Sequence, residues 1–464
     1  MVAVAGGSGF VGSHFVSEYR GRRSFRILSR TEKASRSLGG NRLTYAECDL
    51  FRLEEIRSAL RGCTSAIYLV HSMAPSSRLM QARFEDADLL LADNFARAAE
   101  KEGVEHVVYL SGIQPEGSEA VSLHLASRKE VESVLRKRIP SVTVLRAGVI
   151  FGPGGSSFTL IANLVRRLPV MIYPKWVRSW THSTDVSDIS WALEQCLEDE
   201  TLAGGTYDIG GHEAQPYGDL IRRIGDYTGR KPKAFRVPFN AFVLSKWWVS
   251  LFGGMPLQLV EPLQDSLRHD LHVRDNPLQL RLRERGSRSL RDSTLASVDE
   301  DGAPKRLPSR LKADERQRKV REESLVRSIQ RMPFPNGWTS QDLAAEYARW
   351  LDGLFGPLIK SNVDDEGVVR VGLAGMRSPL LVLKPQDFED SERAVYTIES
   401  GLLVRSDRPA GYFDFRIVSE GKELITCLSG YAPALPWWLY VIAQARIHKL
   451  VMWLFGRRLA RISK

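Results

Sequence analysis

Cysteine is scarce in this chain: Cys48, Cys63, Cys196 and Cys427 are the whole complement, far apart and without a Cys-x-x-Cys pair. That spacing excludes a cysteine-based metal knuckle and a dithiol redox motif, predicts no metal site, and suits a reducing, cytoplasmic compartment. Long hydrophobic runs are missing too. The stretch Phe239 to Leu259 contains Trp247-Trp248 and Leu251-Phe252 but is broken by Lys246, Gly253-Gly254 and Pro256, too interrupted to span a bilayer. No leader peptide is expected, because Met1 opens directly on the apolar strand Val2-Ala3-Val4-Ala5.

What is present is an ordinary globular composition, 43% hydrophobic and 26% charged over 464 residues, enough for two cores and a connector. The net charge of +10 is unevenly spread: Arg281 to Gln330 holds 14 basic and 9 acidic residues, half of the surplus. A solvated linker, an anionic membrane surface and nucleic acid all fit such a run, but aromatics are not interleaved with it, which disfavours nucleic acid. Ser287 to Pro308, poor in large apolar residues, is the expected main break.

The strand Val2 to Ala5 leads into Gly6-Gly7-Ser8-Gly9-Phe10-Val11-Gly12, glycines at three-residue spacing before a helix. This is the pattern of a dinucleotide-binding turn: Gly6 for the tight turn, Gly9 for backbone approach to a pyrophosphate, Gly12 for close helix packing. A second strand, Ser24 to Ser29, ends at Arg30. NAD-preferring sites carry an acid at that place, whereas arginine offers a fork for a 2′-phosphate, so NADP is expected, with NAD as the alternative. Further apolar runs end at Cys48-Asp49-Leu50, at Val70-His71-Ser72-Met73 and at Leu110-Ser111-Gly112, and Val142 to Ile150 runs into Phe151-Gly152-Pro153-Gly154-Gly155. All these ends belong at the carboxyl edge of a parallel sheet, where ligands bind.

The motifs GGSGFVG, CDL, VYLSG and LRAGVIFGPG resemble those of extended and atypical, NmrA-like short-chain dehydrogenases/reductases over about the first half of the chain. The resemblance implies that Gly6, Ser8, Gly9, Phe10, Val11 and Gly12 hold the pyrophosphate, Arg30 the 2′-phosphate and Asp49 the adenine. It also places the loop after His71 beside the ribose and Ser111 beside the nicotinamide. In that superfamily a tyrosine and a lysine four residues later do the acid-base work; this chain has His124 and Arg128 instead. On a helix both share one face, and the fixed charge of Arg128 is expected to favour neutral imidazole at His124. The literal Tyr227-x-x-x-Lys231 match sits at a helix stop, punctuated by Gly229 and Pro232, and is read as a decoy. Leu263 to Val273 reads as a helix whose His269-Asp270 pair is structural.

Beyond the charged break a helix is expected from Ser340 to Phe355, capped by Thr339-Ser340. Strand-like runs follow at Val368 to Leu373, Leu380 to Leu383, Val395 to Glu399, Leu402 to Arg405, Tyr412 to Val418 and Glu423 to Ser429, then one long helix from Trp437 to Arg461. This plan resembles the helix-grip fold of START and polyketide-cyclase-like proteins. Together with SPLLVL at Ser378 to Leu383 and ALPWW at Ala434 to Trp438, it resembles a bacterial family of NAD(P)-binding proteins with that fused module.

The expected fold is therefore an α/β Rossmann doubly wound parallel sheet over residues 1–238, a helical connector and charged linker over 239–325, and an α+β helix-grip-like domain over 326–464. The resemblance implies an NADP-preferring oxidoreductase acting on a hydrophobic carbonyl or alcohol, through His124, Arg128 and Ser111. The alternative is a non-catalytic NADPH-binding redox sensor or assembly factor, as NmrA-like regulators and the nucleotide-binding accessory subunit of respiratory complex I also lack the tyrosine-lysine pair. The aromatic and basic last helix fits either core packing or an anionic membrane surface, peripheral on the inner face.

Overall fold

Four consecutive apolar residues make Val2–Ala5 (β1) a strand buried on both faces, as a parallel sheet covered by helices requires. A computed structural model shows how the rest is built around it. It describes the whole chain except residues 31–41, 73–78, 118–120, 212, 238–241, 255–256, 258–259, 261–266, 307–324, 355, 357–358, 387–390, 406, 409, 419–422, 431 and 464. The chain forms two units, one of residues 1–74 and 91–314, the other of residues 75–90 and 315–464.

In the first unit β1 is followed by Phe10–Tyr19 (α1), Phe25–Ser29 (β2), Leu43–Glu47 (β3), Leu53–Leu60 (α2) and Ser65–Tyr68 (β4). Leu79–Gln81 (β5) belongs to the second unit, and Phe84–Lys101 (α3) leads on to His106–Gly112 (β6), Leu123–Arg138 (α4) and Ser141–Ala147 (β7). Next come Val149–Phe151 (β8), Ser156–Arg167 (α5), Val170–Tyr173 (β9), Trp180–Thr181 (β10), Ser183–Asp185 (β11), Val186–Glu198 (α6) and Thr206–Ile209 (β12). Gln215–Pro216 (β13), Tyr217–Tyr227 (α7), Lys233–Arg236 (β14) and Phe242–Gly253 (α8) complete the set to residue 253. Seven strands form one parallel sheet in the order β12-β7-β6-β4-β1-β2-β3. Strand order reverses between β1 and β4, so their carboxyl ends open a crevice. Phe15, Phe25 and Ile67 lie in one of the buried clusters of this unit, and Tyr68, Phe95 and Tyr109 in another. The short pairs β8–β11, β9–β14 and β10–β13 extend the unit.

Residues 239–314, expected as connector and linker, belong to this unit where described. Helices Pro277–Arg285 and Leu290–Ser297 occupy part of that stretch, and its basic residues have local acidic partners: Arg281 with Asp199 at 2.6 Å and Arg285 with Asp188 at 3.0 Å. The expected break at Ser287 to Pro308 is thus folded up to residue 306, its last two positions lying outside the described residues. The helix expected from Leu263 to Val273 is not found where it can be seen. Residues 263–266 are outside the description, while the Leu271 amide donates to the Trp180 carbonyl at 2.9 Å and Asp270 Oδ1 accepts from the Trp180 amide at 2.8 Å. Pairing with β10 takes the amide that a helix would need.

The second unit runs Val326–Pro333 (β15), helix Ser340–Leu354, then Ile359–Val363 (β16), Val369–Leu373 (β17), Leu381–Pro385 (β18), Arg393–Ser400 (β19), Gly411–Val418 (β20) and Glu423–Ser429 (β21). Its eight-stranded sheet has the order β16-β17-β18-β19-β20-β21-β15-β5, antiparallel except that β5 lies parallel to β15. Tyr347, Phe413, Phe415 and Phe455 join sheet and helices in one aromatic core, with Tyr347 5.3 Å from Phe413 and 5.1 Å from Phe455. Leu402 to Arg405, expected as a strand, is a turn closed by the Val404 amide on Gly401 oxygen, with a single bridge to Pro433. The long terminal helix is two helices, Trp437–Ile442 and Gln444–Ile462, separated at Ala443 (φ −107°, ψ −78°).

Candidate functional site

The glycine turn sits at the carboxyl end of β1. Gly6 has φ +86°, and a Cβ there would lie 3.0 Å from the Leu69 carbonyl carbon, so the turn closes tightly on the residue after β4. A Cβ on Gly12 would lie 2.5 Å from the Gly6 oxygen, which shows how closely α1 lies against the turn. The Gly9 amide donates to Gly6 oxygen at 2.9 Å, and Gly9 is the residue from which α1 starts. No side chain caps that helix and its first turn holds no acid, so its leading N–H groups and positive dipole end face outward uncompensated. An uncapped helix start without an acid, beside a glycine turn, suits an anionic group in charge. Ser8 is exposed, Phe10 and Val11 are half-buried, and the Phe10 ring meets His14 edge-on at 5.5 Å. His14 Nε2 in turn lies 3.2 Å from Pro153 oxygen, which ties the Phe151 to Gly155 loop to α1.

Arg30 follows directly on β2 and is exposed. Asp49, at the end of β3, is half-buried; its Oδ1 accepts from the Phe51 amide at 3.2 Å, and its own amide donates to Glu55 Oε2 at 2.8 Å. Asn94, which sequence reasoning left unused, fixes this loop by donating to Leu50 oxygen at 2.9 Å. Arg30 and Asp49 thus follow the ends of the neighbouring strands β2 and β3, and His71 follows β4 on the other side of β1.

His124 and Arg128 lie on the first two turns of α4, whose N-cap Ser122 accepts from the Leu125 amide at 3.3 Å. The structure brings His124 against His71, with ring centroids 4.9 Å apart. Arg128 is buried: Nη1 donates to Val70 oxygen at 3.2 Å, Nη2 to Leu110 oxygen, and the guanidinium lies 4.9 Å over the Tyr109 ring. It therefore clamps α4 to the ends of β4 and β6, a role that spacing alone does not reveal because backbone carbonyls leave no trace in sequence. Ser111, on β6 beside one of those carbonyls, is buried, and its Oγ has no hydrogen-bond partner among the described residues.

A cavity of about 200 Å³ adjoins this cluster, with His124 in its wall. Ile113, Leu125, Leu160, Ile161, Val249 and Leu271 make much of the lining apolar, and Trp176 and Tyr217 add rings with a polar edge. Burial pushes the Tyr217 phenol up to about 12, against a smaller lowering by its hydrogen bond to Thr181. That tyrosine stays protonated at neutral pH and is no stand-in for a tyrosine activated by a neighbouring cation. Trp176 and Tyr217 were missed in the sequence, since nothing in a lone aromatic says which wall it joins. The literal Tyr227 and Lys231 match is not a helical pair: α7 ends at Tyr227, and Lys231 lies out in solvent, 3.8 Å from Asp226.

Residues 6–151 match the family model described as NAD(P)H-binding. The first unit has the parallel, helix-covered sheet of a Rossmann-like fold, and the first third of the chain is similar to NAD(P)H-binding proteins. Solved structures that share this fold include a nucleoside-diphosphate-sugar epimerase from Staphylococcus aureus (15% identity, TM-score 0.51, covering 64% of this chain and 99% of that one) and the Citrobacter sp. triphenylmethane reductase complexed with NADP(H) (15% identity, TM-score 0.52, 64% and 100%). Among curated proteins the chain is similar to the auxiliary protein GraX of Staphylococcus aureus, 26% identical over 111 residues, 24% of this chain and 36% of that protein. It is also similar to the mitochondrial NADH-ubiquinone oxidoreductase 40 kDa subunit of Neurospora crassa, 22% identical over 209 residues, 44% of this chain and 54% of that subunit. The matches thus span about a third and about half the length of these two relatives. Among the described residues no helix is long and apolar enough to cross a membrane.

Proposed function

We propose that the first unit is an NADP-preferring oxidoreductase acting on an apolar carbonyl or alcohol. The observation that carries this reading is the apolar cavity with His124 in its wall, at the carboxyl ends of β6 and β7 where Gly112 and Ala147 line it. Gly6, Ser8, Gly9, Phe10, Val11 and Gly12 would hold the pyrophosphate, Arg30 the 2′-phosphate, Asp49 the adenine side, and the His71 segment the ribose. Bound there, the cofactor supplies or accepts hydride. The protein's own task is the proton: neutral His124 takes the proton of a substrate alcohol as hydride leaves, becoming imidazolium, and in the reverse direction that imidazolium returns the proton to the carbonyl oxygen and is left neutral. Ser111 offers the same oxygen a second donor. Arg128 acts through position, by keeping His124 and the strand ends in register. The test is NADPH oxidation with a panel of aliphatic and aromatic aldehydes and ketones. Turnover should fall about 10²- to 10⁴-fold in His124→Ala while NADPH still binds; binding without turnover of any carbonyl removes the oxidoreductase reading.

One observation favours a second reading, a protein that binds NADPH without chemistry. Two donors of Arg128, in the place where the superfamily has its lysine, are engaged by Val70 and Leu110 oxygens. Tight NADPH binding with no carbonyl reduced would select it.

For the second unit we propose a helix-grip-like fold. Its support is the succession of one strand, a helix, six antiparallel strands and terminal helices, with the first strand returning beside the last.

A further inference from the structure

The end of the chain has an unusual charge pattern. From Leu424 to Lys464 there is no aspartate or glutamate, while Arg446, Lys449, Arg457, Arg458, Arg461 and Lys464 supply positive charge. In the second unit the same stretch leaves large apolar side chains in water: Trp438 is 53% exposed, Ile442 56%, Ile447 56%, Leu450 47% and Trp453 55%. These are not loose ends of a poorly packed helix. Ala445, Met452, Phe455 and Leu459 of Gln444–Ile462 are fully enclosed in the core, so the opposite side, bearing Leu450 and Trp453 with Arg446 and Arg457, is the outward one. The Arg457 guanidinium lies 4.9 Å over the Trp453 ring. Beside that face runs a groove of about 950 Å³, lined on the helix side by Arg446, Lys449, Trp453 and Arg457 and on the strand side by Met80 and Met332. Its one carboxylate, Asp86, is already engaged with Arg331 at 2.8 Å.

We propose that the two terminal helices lie on the surface of an anionic bilayer, tryptophans and aliphatics at headgroup depth and lipid phosphates against the groove cations. Tryptophan favours the boundary between headgroups and acyl chains, and basic side chains beside it gain from anionic lipid. Other occupants satisfy only half of the surface. Nucleic acid would pair with the arginines but leave Ile442, Ile447 and Leu450 in water. A second copy of this chain would set one cationic face, its single carboxylate already paired with Arg331, against another. The helix lies on the membrane without crossing it, since no helix among the described residues has a spanning length of apolar sequence.

The test is co-sedimentation of the full chain with phosphatidylcholine vesicles and with vesicles holding about a third phosphatidylglycerol, in about 0.1 M salt. Binding to the anionic vesicles, lost in high salt and weak on phosphatidylcholine alone, is expected. Trp438→Ser with Trp453→Ser should weaken it at least about tenfold, and Arg446→Glu with Lys449→Glu and Arg457→Glu should abolish it. NADPH titration, which reads the first unit, and thermal melting check that each variant is folded. Should the tryptophan variant unfold, the charge-reversed variant decides alone. Absence of binding, equal binding to both vesicle types, or undiminished binding after charge reversal overturns the proposal. So does a dimer in sedimentation velocity that Trp453→Ser dissociates.

Discussion

A methyl group at position 12 would stand 2.5 Å from the Gly6 carbonyl oxygen, well inside van der Waals contact. Gly12→Ala should therefore push α1 off its turn, costing about 1–3 kcal/mol by analogy with overpacked sites and removing NADPH binding. Urea unfolding and fluorescence titration read the two losses separately. At position 30 the chemistry is one of charge: Arg30→Ala should reduce the preference for NADPH over NADH at least about tenfold, with NADH affinity little changed. Equal affinities in the wild type would remove the assignment. A third residue carries stability alone. Asp414 is buried among arginines, accepting from Arg393 Nε at 2.9 Å and Arg416 Nη2 at 2.6 Å. Burial alone would raise its pKa; Arg393 and then Arg416 reverse that and hold it below the ordinary 3.8. Because the folded pKa is the lower one, its contribution is complete above the unfolded value and fades as pH falls through the folded value. Asp414→Asn should cost about 3–5 kcal/mol at neutral pH, leaving two buried cations with half a partner, and its gap to the wild type should narrow below pH 3.8.

Among the elements, α4 is the one on which the proposed chemistry rides, and its start depends on one hydroxyl. Ser122→Ala removes the cap on the Leu125 amide and should lower stability by about 1 kcal/mol, with turnover falling further as His124 loosens. A melting curve and a rate assay separate these effects. This helix also marks how far the chain could be read in advance. His124 and Arg128 could be placed on one face from their spacing of four, and β1 with its glycine turn from four apolar residues running into Gly6. The strands Val395 to Glu399, Tyr412 to Val418 and Glu423 to Ser429 were likewise readable, since their β-branched and aromatic residues outnumber any helical pattern. What escaped were features set by distant backbone. The grip of Arg128 on Val70 and Leu110 oxygens depends on where two strands end in space. Leu402 to Arg405 looks like a strand by composition, yet its amides are divided between a turn on Gly401 oxygen and the carbonyls of Pro379, Leu380 and Ala432, so no continuous ladder forms. Residues 267–273 lost their expected helix because the Leu271 amide is spent on the Trp180 carbonyl and Asp270 on the Trp180 amide.

At the scale of the whole molecule, the two units are not consecutive stretches of chain. Leu79–Gln81 is three residues long, too short for any periodicity, and it pairs with β15 across a sequence separation of 247 residues at Gln81 and Ser328. A fragment of residues 315–464 should therefore expose the open edge of β15 and self-associate, and joining residues 75–90 back to it should restore monomers in size-exclusion chromatography. A fragment that stays monomeric without residues 75–90 would show that edge to be dispensable. On the ribosome, at roughly 5–20 residues per second, the β5 segment emerges tens of seconds before the strand it completes. Until then those three residues lack the strand they pair with. Inheritance feels the same arrangement: no single cut frees the second unit, so a recombination event that moves it as a contiguous piece leaves a strand behind, and the two halves of the gene are bound to travel together.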